Sequence, residues 1–68
     1  MELKLKGEFV ELDNVLKVFE LVANGAEAKH YIQSGKVKVN GSVETRVRRK
    51  LRVNDNVEFS TYQIRIIA

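Results

Sequence analysis

The sequence contains no cysteine and no proline, and its aromatic residues are few. Without cysteine the chain can form neither disulfide bonds nor thiolate metal sites, which argues against a secreted domain held by disulfides. No stretch approaches the roughly 20 apolar residues of a membrane-spanning helix, and the N-terminal sequence lacks the apolar run of a signal peptide. We therefore expect a cytoplasmic protein with no membrane partner.

Side chains suited to catalysis are equally scarce. His30 is the single histidine, and a nucleophile–base pair such as Cys–His cannot be formed. The serines lie in predicted turns, and the chain has neither a glycine-rich phosphate loop nor a cluster of metal ligands. We expect no enzymatic activity, no cofactor, no metal site and no small-molecule substrate.

Positive charge, in contrast, is concentrated in one segment. The 68 residues, which predict a single domain, carry a net charge of +3. Between Lys29 and Arg52 there are eight basic residues and one acid, Glu44, so that this segment carries +7 and the remainder −4. A concentrated basic segment of this kind favours a polyanionic partner.

Two helices are predicted in the first half of the chain. From Leu12 onward apolar residues recur at helical spacing, which predicts a helix over residues 13–23. Asn24 can cap a second helix, with Glu27 three positions later as in a capping box, and Gly35 favours its end after residue 34. The short connection predicts a tight helical hairpin.

Alternating patterns predict the strands. Residues 1–6 form one strand, and Asn40-Gly41 predicts a two-residue turn that joins Val37–Val39 to a basic return strand. In that return strand the odd positions are mostly apolar, with a bulge or loop near 47–50. Further turns are predicted at Asn54-Asp55 and Ser60-Thr61, and the last strand, from Tyr62, is expected to pair near the N-terminal one. The predicted class is α+β, a two-helix hairpin on a small, mostly antiparallel sheet of about four to five strands.

The order of these elements resembles the S4-type RNA-binding domain. The resemblance is carried by AEAKHYI (26–32), SGKVKVNG (34–41), VETRVRRKL (43–51) and VNDNVEF (53–59). With the closing strand at 62–68 it extends over nearly the whole chain to small stand-alone bacterial S4-like proteins of the YbcJ and YaaA type. It implies the αL fold and the binding of structured RNA, such as ribosomal or transfer RNA, on the basic side of the second helix and the adjoining hairpin.

The resemblance also implies which residues contact RNA. Transferred position by position, it implies contacts from Lys29, Lys36, Lys38, Asn40, Arg46, Arg48, Arg49 and Lys50. His30, Gln33 and Gly25 are further candidates; backbone N–H groups near Gly25 are placed to donate to a phosphate. The sequence departs from the family where Asn24-Gly25-Ala26 replaces a frequent Ser-Arg-Arg, and where only the acid of a frequent Pro-Gly-Asp turn is kept, as Asp55.

Some of these residues also have interpretations that do not involve RNA. Lys29 and His30 are also compatible with ordinary surface positions, and Asn40 with a role confined to the turn. Asp55 is expected to cap its turn, and Arg52 is also compatible with an ion pair to Asp55 or Glu58.

Two other functions compete with RNA binding. An adaptor could use the same basic face to bind an acidic protein, in which case capture of the partner would resist ribonuclease. DNA binding is disfavoured because no predicted helix carries a row of groups that would read a major groove. The few aromatic residues also fail to predict a base-stacking platform for single-stranded RNA.

Overall fold

Seven short strands and two helices make up the fold in the computed structural model, which describes all residues 1–68. Their order along the chain is β1 (Glu2–Lys4), β2 (Val10–Glu11), α1 (Leu12–Val18), α2 (Gly25–Gln33), β3 (Val37–Val39), β4 (Ser42–Val43), β5 (Lys50–Leu51), β6 (Asn56–Phe59) and β7 (Tyr62–Ile67). Neither helix is long and apolar enough to cross a membrane.

The main sheet has five strands in the order β1-β7-β6-β3-β4. All its pairs are antiparallel except β1 with β7, in which Leu3 lies opposite Ile66. The predicted pairing of the final strand with the N-terminal one is therefore confirmed, as is the α+β class. Strands β2 and β5 form a separate antiparallel pair. Strand β2 was not predicted, because its two residues show no alternation.

The predicted C-terminal end of the first helix is wrong. The helix was expected over residues 13–23 but ends at Val18, because Glu20 takes a positive φ of 56°. The N–H of Leu21 donates to the carbonyl of Leu16 at 3.0 Å. This bond closes a Schellman motif, the usual end of a helix at a left-handed residue.

The connection between the helices is consequently longer than the one or two residues expected, since it spans residues 19–24. Val22 in this connection is 6% exposed and belongs to the core. The apolar residues after Val18 thus lie in a loop and pack against the core from there. Their spacing alone is also compatible with a longer helix.

The predicted signals at both ends of α2 are confirmed. The Asn24 side chain accepts a hydrogen bond from the Glu27 N–H at 2.9 Å, and the Glu27 carboxylate accepts one from the Ala23 N–H at 3.2 Å. At the other end Gly35 has a φ of 80°, and its N–H donates to the carbonyl of Ile32 at 3.2 Å. Capping fixes where this helix starts and therefore where its first-turn N–H groups lie.

The two-residue turn at Asn40 and Gly41 is confirmed, with φ values of 53° and 85°. The alternation expected in the return strand holds at Val47 and Leu51, which pack inward, but is wrong at the start of the strand. A two-residue turn sets Val43 opposite Lys38, on the outward face, and Val43 is 55% exposed. Strand β4 ends there, and the next residue, Glu44, is buried instead.

One hydrophobic core joins both helices to the sheet. Its fully or almost fully buried members are Leu12, Val15, Leu16, Val22, Ala28, Ile32, Val37, Val39, Leu51, Val57, Phe59, Ile64 and Ile66. Burial of each large aliphatic side chain contributes roughly 1.5–3 kcal/mol. The loop from residue 44 to residue 49 passes alongside α1, to which its backbone is hydrogen-bonded.

Candidate nucleic-acid interface

The loop of residues 44–49 is fastened to the N-terminus of α1. The N–H of Leu12 donates to the carbonyl of Arg49 at 2.9 Å, and the N–H of Asp13 donates to that of Val47 at 3.1 Å. The first N–H groups of a helix have no partners within it. Here the loop supplies two of those partners, so that its backbone is held against the helix.

The carboxylate of Glu44 holds the same loop from inside. It accepts bonds from the Arg46 N–H at 2.9 Å, from Arg46 Nε at 3.0 Å and Nη2 at 2.9 Å, and from Arg49 Nη1 at 2.8 Å. Only 8% of its side chain is exposed. The hydrogen bonds from Arg46 lower the pKa of Glu44 from 4.5 to about 2, against the opposing effect of burial.

Arg48 lies between these two fastenings. The N–H of Arg49 donates to the carbonyl of Arg46 at 3.3 Å, which closes a tight turn with Arg48 inside it. Arg46 and Arg49 form ion pairs with Glu44, whereas Arg48 forms none. Arg48 is therefore an exposed guanidinium group on a backbone that is fixed on both sides.

Arg48 meets two lysines at an open groove of about 430 Å³, here called the helix groove. The groove is lined by Asp13, Lys17, Gly25, Lys29, Val47 and Arg48. Lys17 comes from α1 and Lys29 from α2, so that three separate elements each contribute a cation. Sequence reasoning missed Lys17, because only the packing of α1 beside α2 brings it to this position; a Cβ on Gly25 would lie 3.8 Å from its Nζ.

A second depression of about 600 Å³ adjoins the groove at Arg48 and is here called the basic depression. All of its lining residues are basic: Arg46, Arg48, Arg49, Lys50 and Arg52. Because Arg46 and Arg49 share the charge of Glu44, the cations without an ion pair here are Arg48, Lys50 and Arg52.

The lysines of the hairpin lie elsewhere. Lys36 lines a different depression, beside Tyr31, Phe59 and Ser60. Lys38 is exposed on β3, between Val43 of β4 and Glu58 of β6. The structure thus brings Lys29 together with the loop arginines and leaves the two hairpin lysines outside both depressions.

The other candidate side chains on α2, His30 and Gln33, also lie outside the helix groove and the basic depression. His30 is exposed, with its ring centroid 5.5 Å from that of Tyr31. Gln33 is exposed at the end of the helix. Of the additional candidates from this helix, only Gly25 lines the helix groove.

Asn40 is bonded to the neighbouring turn. Its Nδ2 donates to Asp55 Oδ1 at 3.0 Å, and its Oδ1 accepts from the Asn56 N–H at 2.9 Å. Asp55 also accepts from the Arg52 N–H at 2.7 Å, which confirms its predicted role as a turn cap. Burial alone would raise the pKa of Asp55, but the bonds from Arg52 and Asn40 lower it below its usual value.

The alternative of an ion pair from Arg52 to Asp55 or Glu58 is wrong. Its Nη1 donates instead to the carbonyl oxygen of Glu8 at 3.1 Å, and its guanidinium carbon lies 5.8 Å from the centre of the Phe9 ring. The antiparallel pairing of β2 with β5 explains this, because it brings the segment before Val10 next to Arg52.

Comparison with known proteins agrees with this architecture. The protein YbcJ of Escherichia coli strain K12 is 40% identical over 63 residues, which cover 93% of this chain and 90% of that protein, and YbcJ of Shigella flexneri gives the same values. The solution structure of Escherichia coli YbcJ, described as revealing an αL motif involved in RNA binding, matches with a TM-score of 0.74 and 38% identity over 98% of this chain and 86% of that one. The resemblance noted in the sequence and the αL fold are thereby confirmed. Since the model of the S4 domain family matches residues 3–67, the chain belongs to that family.

Proposed function

We propose that this protein is a non-catalytic RNA-binding protein, and that structured RNA lies across the helix groove and the basic depression. The observation that carries the proposal is the convergence of Lys17, Lys29 and Arg48 from three elements on one groove. None of the three is neutralised by an ion pair. The likeness to a solved protein described as having an αL motif involved in RNA binding supports the same conclusion.

Phosphate groups match the chemistry of this surface. Lysine and arginine side chains replace the counterions of a nucleic acid, whose release makes binding favourable and dependent on salt. Arg48 can in addition form two parallel bonds to one phosphate. In the first turn of α2, the N–H of Glu27 is taken by the Asn24 side chain, whereas those of Gly25 and Ala26 have no partner within the helix and can donate to an anion.

The rigidity of the site favours a folded RNA over a flexible strand. The loop that carries Arg48 is fixed by Glu44 and by the N-terminus of α1. A fixed set of cations matches a fixed arrangement of phosphates, and double-stranded RNA is recognised mainly by its shape and backbone. We propose ribosomal or transfer RNA as the target and the cytoplasm, in association with ribosomes, as the place of action.

The test compares two pairs of charge reversals. Lys29→Glu with Arg48→Glu alters the helix groove, whereas Lys36→Glu with Lys38→Glu makes the same change of charge on the hairpin. Affinity for a transfer RNA and for a ribosomal RNA hairpin is measured over a range of salt concentrations. We expect the first pair to weaken binding strongly and to reduce the slope of log affinity against log salt by about 2, since each lost phosphate contact removes about 1.

The second pair serves as the matched control, and circular dichroism checks that both variants fold. We expect it to bind nearly as the parent does. Unchanged binding by the groove variant would refute the proposal, and equal losses in both variants would refute the location of the site. Capture of an acidic protein that persists after ribonuclease treatment would favour an adaptor instead.

A further inference from the structure

The outward face of the small β2–β5 sheet carries an exposed aromatic ring. Val10 pairs with Leu51, and both point toward the interior, where Leu51 is fully buried. Phe9 is the residue before β2, is 38% exposed, and lies on the side of the pair from which Lys50 and Arg52 approach its ring. Phe9 is therefore a large aromatic residue at the surface of a protein with few aromatic residues.

Two cations lie against this ring. Lys50 Nζ is 4.8 Å from the ring centre, and the guanidinium carbon of Arg52 is 5.8 Å from it. The bond from Arg52 Nη1 to the carbonyl of Glu8 fixes that guanidinium beside the ring. Both distances are within the range of cation–π interactions.

The same two cations line the basic depression. The ring of Phe9 therefore borders the surface that we propose for phosphate binding, and Lys50 and Arg52 belong to both. An aromatic ring beside phosphate-binding cations is the combination that nucleic-acid-binding proteins use to hold an unpaired base and its backbone together.

We propose that Phe9 is a stacking site for one unpaired nucleotide of the bound RNA. The base lies on the ring, and Lys50 and Arg52 bind the adjoining phosphates. Stacking of a base on an aromatic ring is worth more than a cation–π contact at an exposed site, so that a base can displace the ammonium group of Lys50 and release it to a phosphate. The inference rests on the proposed function and extends it, because it requires an unpaired nucleotide next to the folded RNA.

This site differs from a base-stacking platform for single-stranded RNA, which the few aromatic residues of the sequence do not support. Such a platform needs several rings for successive bases, whereas the face of β2 and β5 offers one. Phe9 would therefore distinguish an RNA duplex with an unpaired nucleotide at its end or at a junction from a continuous RNA duplex. It would not select a particular base.

The first experiment uses two RNA hairpins with the same stem, one blunt and one with an unpaired 3′ extension of three uridines. We expect the parent protein to bind the extended hairpin about 10-fold more tightly, as the worth of one stacked base implies. Phe9→Leu should remove this preference and leave affinity for the blunt hairpin unchanged. Phe9→Trp should retain it.

The second experiment reads the contact directly. The chain has no tryptophan, so that Phe9→Trp supplies the only one, and a base stacked on the indole quenches its fluorescence. We expect quenching by the extended hairpin and little by the blunt one. Because the side chain is partly exposed, the variant should fold, and its thermal melt verifies this.

The possible outcomes separate the two proposals. If the parent and Phe9→Leu both bind the two hairpins equally, the stacking inference is wrong while RNA binding stands. The same conclusion follows if the tryptophan fluorescence of Phe9→Trp does not change when the variant is saturated with the extended hairpin. If the parent binds neither hairpin, the proposed function fails as well. A change in emission on concentrating the protein without RNA would show that a second copy covers the ring, which also overturns the inference.

Discussion

Arg49 Nη1 lies 2.8 Å from Glu44 Oε1, and this partly buried ion pair organises the basic segment around its one acid. The same carboxylate also binds the Arg46 guanidinium through two bonds. The carboxylate itself is buried, and a buried charge that loses a partner is costly. Glu44 is thus a structural counterion, and it sets the loop that presents Arg48.

Acid should destabilise the protein through Glu44. Its pKa is about 2 in the folded chain and about 4.5 ordinarily, so that folding favours the charged form. The stabilisation is complete above about pH 4.5 and is lost as the pH falls toward 2. Asp55, whose pKa is also lowered, acts in the same direction. Urea denaturation followed by circular dichroism from pH 7 to pH 2 measures the effect.

Glu44→Gln is the variant that isolates this contribution. We expect it to be less stable than the parent at pH 7 and to lose less of its stability between pH 4.5 and pH 2. Asp55→Asn removes the other acid whose pKa is lowered. It measures the part of the acid sensitivity that does not come from Glu44. An unchanged acid dependence in Glu44→Gln would contradict the assignment.

The inward position of Glu44 also shows what an alternating sequence pattern cannot predict. The predicted strand has apolar odd positions from Val43 onward, an alternation under which the even position of Glu44 would face outward. The two-residue turn, itself predicted correctly, determines the opposite arrangement, because it sets Val43 beside Lys38 on the outward face. A carboxylate with two arginines as partners can then be buried. Partners of this kind depend on the folded loop and are not visible in an alternation of apolar residues.

The early end of α1 has a similar explanation. Capping chemistry located both ends of α2 because Asn24 and Gly35 are strong local signals. Glu20 is not such a signal, since residues with side chains rarely adopt a positive φ. The position of Lys17 in the helix groove depends on the packing of α1 against α2, so that Lys17 could not be predicted. Lys29 and Arg48 were predicted as contacts from the family resemblance, and their shared groove is a result of the fold.

Glu20→Gly should stabilise the protein. The residue has a φ of 56° at the left-handed position that ends α1, where glycine has no steric penalty. The relief of about 1–2 kcal/mol of strain is partly offset by the greater freedom of glycine in the unfolded chain. We expect a net gain of about 0.5–1 kcal/mol in the free energy of unfolding, measured by urea denaturation. Glu20→Ala, which keeps the strain, is the control and should show no comparable gain.

Asn40→Ala should destabilise the protein by about 1–3 kcal/mol, because it removes the bonds to Asp55 and Asn56 and keeps a side chain at positive φ. Asn40→Gly loses the same bonds but relieves the backbone, so that its loss should be smaller by about 1 kcal/mol. Thermal or urea unfolding distinguishes the two. Equal losses would mean that the turn carries no strain at this residue.

Gly25→Ala should separate stability from RNA binding. Gly25 opens α2 at the floor of the helix groove, where the nearest atom to an added Cβ is Lys17 Nζ at 3.8 Å. The methyl group therefore fits, and since alanine favours a helix over glycine, we expect a gain of about 0.5 kcal/mol in the free energy of unfolding. The same methyl group adds bulk at a residue that lines the groove, beside the unpaired N–H groups of Gly25 and Ala26, so that affinity for structured RNA should fall.

Ala26→Ser is the matched control for that loss, since it adds one atom in the same turn to an exposed residue that does not line the groove. It should leave RNA affinity near that of the parent. If Gly25→Ala is more stable and binds RNA as tightly as the parent, no phosphate approaches the start of α2. The cations Lys17, Lys29 and Arg48, which line the same groove, would then hold the RNA without help from the helix terminus.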